Sequence, residues 1–366
     1  MSITLAHAVA IVILLASSAT RQQDPPYAAM AQRAVAAMKP SAGEQVLIRA
    51  DPETLPLLQP AVRGAFERAG AKVETIGRDV ERFDERLASA TIYVWMPGAS
   101  ALTTPEQQLA LARWTDAGGT RRELHFHWSE GTLKLDRSPA PHTPEFDRLY
   151  ADALEIDYAA LNKVQDAAIA LLRSGEVRVT TPAGTDLRFR TGERPFNKQN
   201  GDGSPARVKS ARMRIDRHIE LPAGIVRVAP MESSVRGVLV IPTLRYGEGA
   251  GSIAQDVRLE FAEGKVIKVA ARERAVEVEQ LLQKMPALAS FRELGVGFNP
   301  ELAVQTAVGT VPYYGYGAGF VRMSLGNNEE LAGAVRGTGV LWNFFPDATV
   351  MVGDKLLVKD GKLVGF

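Results

Sequence analysis

Residues 177–189 read VRVTTPAGTDLRF. Val177, Val179, Leu187 and Phe189 each stand beside a polar or charged neighbour, which is the period of two expected of strands with one buried face. Between them Pro182-Ala183-Gly184 has the chemistry of a turn, so the spacing predicts a hairpin. The same texture runs on towards the C-terminus. It is punctuated by Glu263-Gly264 and Asp360-Gly361 and interrupted by one helical stretch at about 273–284. Everything after Ser174-Gly175 therefore reads as β-rich.

The chain before that point has another pattern. Short apolar runs at 46–48, 73–76, 91–95 and 124–128 alternate with helical segments, starting with 27–38. Asp51-Pro52 offers a capping carboxylate and a first-turn proline for a helix running to about 69, with Gly70 as its stop. Thr104-Pro105-Glu106-Gln107 predicts a capping box for the helix that reaches Trp114. Segments 143–154 and 158–172 also read as helices. Repeated β-then-α order predicts a parallel sheet covered by helices on both faces. The fold class is α/β: an N-terminal α/β domain over 20–174 and a β-rich C-terminal domain over 175–366. Residues 200–204 (NGDGS) read as a loop or flexible lid. The glycine-rich 315–339 stretch predicts backbone lying close to a site or in tight turns.

Composition limits the function. The chain has 366 residues, 46% hydrophobic and 23% charged, which is enough for a sizeable core in two domains. A formal net charge of +1 and 7% aromatic residues argue against nucleic acid as a partner. Cysteine is absent, which excludes disulfides, a thiolate nucleophile, sulfur-ligated metal and a lipid-modified cysteine. The apolar run 8–16 (AVAIVILLA) followed by Ser17-Ser18-Ala19 reads as a signal peptide over 1–19, cut after Ala19. Export to a periplasmic or extracellular space is the expectation. The run is short for a membrane span, so none is expected to persist after cleavage.

Longer motifs carry a resemblance. TTPAGTDL within 177–189, LPAGIVRVAPMESSVRG at 221–237, ELGVGFNP at 293–300 and the glycine-punctuated 309–361 occur in order. GEQVLIRADPE at 43–53 precedes them. Together these stretches resemble the aminopeptidase T-type (thermophilic leucyl) metallo-aminopeptidase family over nearly the whole mature chain. The resemblance implies an α/β domain joined to a β-rich domain, a homodimer, and removal of N-terminal residues from peptides by a two-metal site. In such a site two cations activate a water and polarise the scissile carbonyl.

Carried over position by position, that site is depleted. The glutamate of the family's LPxGE segment falls on Ile225, and the glutamate of ELGxGxNP is kept as Glu293. The histidine before an apolar-small-Leu-Gly run becomes Arg322. The final histidine and aspartate, two apart, fall on Leu341 and Asn343. The five histidines stand at 7, 125, 127, 142 and 218, and none follows. The resemblance therefore implies a pseudoenzyme without a metal cofactor, with Glu293 its sole retained catalytic position. A Glu293–Arg322 ion pair is expected in place of part of the metal site. A peptide or small ligand in the cleft is the expected partner, with Arg322, Tyr313, Tyr314 and Tyr316 as contacting candidates. The alternative is an active aminopeptidase with a rearranged site for Zn, Co or Mn.

Other signals have bland readings beside sharper ones. His125 and His127 share a strand face and could grip one metal with Glu130 nearby, but surface or partly buried strand residues are the preferred reading. Asp216 and His218 read as polar residues facing solvent from an edge strand. The three tyrosines read equally as domain- or dimer-interface packing. Lys265, Lys268, Arg272 and Arg274 read as a solvated face. No GxSxG elbow is present.

Overall fold

The four apolar runs foreseen near the N-terminus become neighbours in one parallel sheet. The computed structural model describes residues 27–50, 56–77, 80–96, 103–126, 133–135, 138, 140, 143–247, 252–303 and 310–365. The expected signal peptide, the Asp51-Pro52 cap, His127 and Glu130 lie outside the described residues. The first half runs α1 (Tyr27–Met38), β1 (Gln45–Ala50), α2 (Leu58–Arg68), β2 (Lys72–Ile76), α3 (Phe83–Ser89), β3 (Ile92–Met96), α4 (Pro105–Asp116) and β4 (Arg122–Phe126). A short β5 (Leu133–Lys134) and helices α5 (Pro144–Leu154) and α6 (Tyr158–Arg173) follow. Helix α2 starts at Leu58, later than the sequence suggested.

Local chemistry explains the helix starts. The Thr104 hydroxyl accepts from the Gln107 amide at 3.3 Å, and the Gln107 side chain accepts from the Thr104 amide at 3.1 Å. This is the reciprocal box that satisfies two unpaired first-turn donors. Asp157 caps α6 by accepting from the Ala159 and Ala160 amides.

The second half begins with β6 (Glu176–Thr180), β7 (Asp186–Arg190), β8 (Asn197–Lys198), helix α7 (Pro205–Lys209), β9 (His218–Leu221) and β10 (Ile225–Val228). It continues through β11 (Arg236–Arg245), β12 (Ile253–Ala262), β13 (Lys265–Ala270), helix α8 (Ala275–Lys284), β14 (Phe291–Gly297) and β15 (Thr310–Val311). The last strands are β16 (Val321–Gly326), β17 (Val340–Phe345), β18 (Thr349–Val352), β19 (Lys355–Lys359) and β20 (Lys362–Leu363). Among the described residues, one antiparallel sheet has the order β17-β16-β14-β10-β8 and a larger one the order β13-β12-β11-β7-β6-β18-β19-β20. The hairpin read from 177–189 is the β6–β7 pair, with Val177 opposite Phe189 and Val179 opposite Leu187, all buried.

The parallel sheet has the order β2-β1-β3-β4-β9. Its last strand comes from beyond residue 175, so the second half of the chain completes the sheet of the first. One face carries Val46, Ile48, Ile92, Val94, Leu124 and Ile219 into the main core with α1, α2 and α5. The other face packs Leu47 and Tyr93 against Phe83, Leu87, Leu111 and Trp114 of α3 and α4. Further along that second face the residues turn polar, and one of two charged clusters lies there.

Three sequence expectations are corrected. Residues 200–204 form no lid: the Gly203 amide donates to the Ala37 carbonyl at 2.9 Å, and Ser204 caps α7. A Cβ on Gly203 would meet the Met38 sulfur at 2.8 Å, so this loop is pressed onto α1. Asp216 and His218 do not share a strand face. Asp216 sits in a 3-10 turn, where its carboxylate accepts from the Arg212 and Met213 amides. His218 lies on the last strand of the parallel sheet but faces Glu123 rather than solvent, because parallel pairing with β4 brings the two side chains together. No described helix is long and apolar enough to cross a membrane.

Candidate functional site

Strand alternation gathers the retained glutamate with two arginines, and an irregularity in β14 at Arg292 adds a third. Gly295 of β14 pairs with Arg227 of β10 on one side and Arg322 of β16 on the other. Glu293 lies two residues from Gly295 and shares its face. Glycine at 295 leaves the room this needs: a Cβ there would meet Ile225 Cδ1 at 2.9 Å and Arg322 Nε at 3.4 Å.

Both Glu293 oxygens are engaged. Arg227 donates to Oε2 through Nε at 3.0 Å and Nη2 at 2.8 Å. Arg322 Nη2 lies 3.0 Å from Oε1, the ion pair foreseen from the sequence, and the Ser324 hydroxyl donates to the same oxygen at 3.2 Å. Arg292 adds a third guanidinium, with its Nε 3.6 Å from Oε2. Glu330 closes the network by pairing with Arg227 at 2.8 Å and with Arg292. Glu293 is 0% exposed. Burial alone would raise its pKa, but Arg227, Arg322 and Arg292 reverse that and hold it far below the usual carboxylate range. Burial likewise opposes ionisation of Glu330, yet Arg227 and Arg292 bring its pKa down to about 2.

The last two transferred positions are corrected by register. Met323 pairs with Asn343 and Leu325 with Leu341, whereas Arg322 pairs with Phe344 and Ser324 with Trp342. Asn343 and Leu341 therefore occupy the face opposite Glu293. Asn343 spends its amide on the Met323 and Leu341 carbonyls. The two-apart pair facing the network is Trp342 and Phe344, and the Arg322 guanidinium lies 5.9 Å from the Trp342 ring centroid. Ile225 is buried beside Gly295. One carboxylate, three guanidiniums, an isoleucine and two aromatic rings do not make a donor set for two divalent cations. A guanidinium also occupies the ground a cation would need. The fit to a dinuclear metal centre fails at this position.

The tyrosines divide. Tyr313 and Tyr316 are buried in the main core, their rings edge-on at 5.0 Å, and Tyr150 packs edge-on against Tyr313 at 5.8 Å. They serve as packing and cannot contact a ligand as placed. Tyr314 is half-buried; its carbonyl accepts from Arg322 and its ring packs edge-on against Trp342. The glycine-rich stretch does mark close backbone contact: a Cβ on Gly317 would meet the Leu302 carbonyl oxygen at 1.6 Å. Asn299, in the ELGVGFNP segment, ties this region together by donating to the Ala153 and Ala223 carbonyls.

The second cluster went unforeseen as a unit. Glu123 pairs with His218 and His125 with Glu220 across β4 and β9, so all four side chains share the polar face of the parallel sheet. His218 Nδ1 lies 3.0 Å from Glu123 Oε2, and its Nε2 lies 3.2 Å from Glu220 Oε1. Burial lowers the His218 pKa, but Glu123 and Glu220 outweigh it and raise the value to about 10. The His125 ring stacks on Trp95 at 4.3 Å and meets the His218 ring edge-on at 5.1 Å. Each of Glu123-x-His125 and His218-x-Glu220 is a polar pair two apart within an apolar strand, and that was the available signal. A cavity of about 390 Å³ opens here, lined by Trp95, Leu111, Glu123, Arg214, Ile215, His218 and Glu330 among others. It touches both charged clusters.

This architecture is an aminopeptidase T-like fold. A 2,5-dihydroxypyridine dioxygenase from Pseudomonas putida KT2440 superposes with a TM-score of 0.65 at 17% identity, covering 93% of this chain and 97% of that one. Wild-type AmpT from Thermus thermophilus superposes with a TM-score of 0.62 at 17% identity, covering 92% of this chain and 98% of its own. No protein-family model matches the chain, and no curated protein matches it in sequence. At this identity the likeness defines the fold. The two solved neighbours carry the names of different chemistries, so the reaction has to be argued from the side chains present.

Proposed function

We propose that this chain is an exported aminopeptidase T-like protein that does not hydrolyse peptides through a dinuclear metal centre and instead binds a peptide or similar small ligand in the cavity beside Trp95. One observation carries this reading: both oxygens of Glu293 are held by arginines and Ser324. Three guanidiniums (Arg227, Arg292 and Arg322) already face the Glu293 and Glu330 carboxylates, so this cluster needs no added metal charge. The cavity sets apolar Trp95, Leu111 and Ile215 beside the Glu123 and Glu330 carboxylates. Arg214 and His218 line it too, so the combination suits a ligand that carries both charges on an apolar body, such as a short peptide.

The test is an aminoacyl-anilide assay on the purified chain with and without zinc, cobalt or manganese, run beside a thermal-shift screen with short peptides. No turnover above buffer and a peptide-dependent rise in Tm are expected. Metal-dependent turnover that Glu293→Gln abolishes, in a variant that still melts cooperatively, would overturn the reading. Export and a homodimer belong to the same proposal. The N-terminal residue of the secreted protein and its sedimentation mass check them.

A further inference from the structure

We propose that His125, His218 and Glu220 form a site for a single first-row divalent transition ion, separate from Glu293. One ligand atom from each lies within 4.8 Å of the other two. His218 Nε2 and Glu220 Oε1 are already 3.2 Å apart. Two donors bound to one tetrahedral ion at about 2.0–2.1 Å sit about 3.4 Å from each other, so this edge of the site needs little movement.

The surroundings are those of a ligand set. His218 turns its other ring nitrogen to Glu123 at 3.0 Å, and an outer carboxylate of this kind fixes a metal-bound imidazole in tautomer and orientation. Stacking on Trp95 with an interplanar angle of 9° restrains the His125 ring. Two imidazoles with one carboxylate favour zinc, iron or a neighbouring ion over magnesium or calcium, which prefer all-oxygen sites. On binding, the ion takes the place of the proton between His218 Nε2 and Glu220, while Nδ1 keeps its hydrogen bond to Glu123. Glu123 and Glu220 set negative charge against the ion, Glu220 while it also feels Arg227 and Arg322. Three protein ligands leave positions open, and the cavity lined by Trp95 and Glu123 reaches one of the three, His218. The site stands whether or not that cavity accepts a peptide.

The experiment uses the full chain, freed of metal by chelator and dialysed against Zn(II). One equivalent per chain is expected. His218→Ala and Glu220→Ala each lower the affinity at least tenfold. Glu123→Gln lowers it about 10- to 100-fold while keeping the stoichiometry. Arg272→Ala, on the exposed basic patch, leaves uptake unchanged. Should the variants fail to fold, the unmodified chain loaded with Cu(II) decides by electron spin-echo modulation: two imidazole nitrogens on the ion support the site. Uptake well below one equivalent, fewer than two imidazoles, or binding lost with Glu293→Gln but kept in His218→Ala would overturn it.

Discussion

Two charged clusters sit near one another in this molecule, and they differ in what they leave available. Around Glu293 three guanidiniums converge on a carboxylate sealed between antiparallel strands. Around His218 the partners are carboxylates, the side chain is 19% exposed, and a cavity opens beside it. Arginine keeps its charge at any ordinary pH, so three fixed positive charges oppose a metal ion at the first cluster. Imidazole can exchange a proton for an ion, so the His218 charge at the second is not fixed. This aminopeptidase T-like fold thus holds an arginine-bound carboxylate at Glu293 and a histidine–carboxylate cluster on the other sheet.

The largest expected effect comes from breaking the sealed cluster. Glu293→Gln strands buried guanidinium charge and should cost about 3–5 kcal/mol of stability, read as a fall in the urea midpoint. Replacing Glu293, Arg227 and Arg322 together with apolar residues of similar volume should cost far less, and an equal loss would show that the network is more than self-compensating. Acid comes next. Glu330 has its pKa lowered from 4.5 to about 2, so its contribution is full above pH 4.5 and is lost as pH falls towards 2. Glu330→Gln should flatten that acid limb in a pH series of melting curves. The open cluster responds at the other end of the scale. In the metal-free chain the His218 pKa is raised from 6.5 to about 10, so its contribution is full below pH 6.5 and fades as pH climbs through 10. Glu123→Gln should shrink that alkaline loss, and an unchanged profile would detach His218 from Glu123. The smallest effect belongs to the exposed basic patch, where Arg272→Ala should leave the midpoint unmoved despite its pairs with Asp256 and Glu273.

The sequence disclosed features whose causes are local. The box at Thr104 and Gln107, the hairpin at 177–189 and the β-α alternation all rest on neighbours within a few residues. The Glu293–Arg322 pair was legible too, because motif order placed both residues at one inherited position. Arg227 was not, although an arginine between Val226 and Val228 on a buried strand was a hint that it needed a carboxylate. Leu341 and Asn343 face away from Glu293, because in a strand a shift of one residue reverses the face. The union of His125 with His218 had no spacing signal, since their strands become neighbours only when the chain returns to the first sheet.

That return has a mechanical consequence. Strand β9 covers the open edge of β4 with a segment made long after the rest of its sheet. A polypeptide halted at residue 174 would present unpaired β4 backbone to any passing chain, an invitation to intermolecular pairing. Synthesis of this protein therefore passes through an interval of vulnerability that ends only once residues 218–221 have emerged and docked.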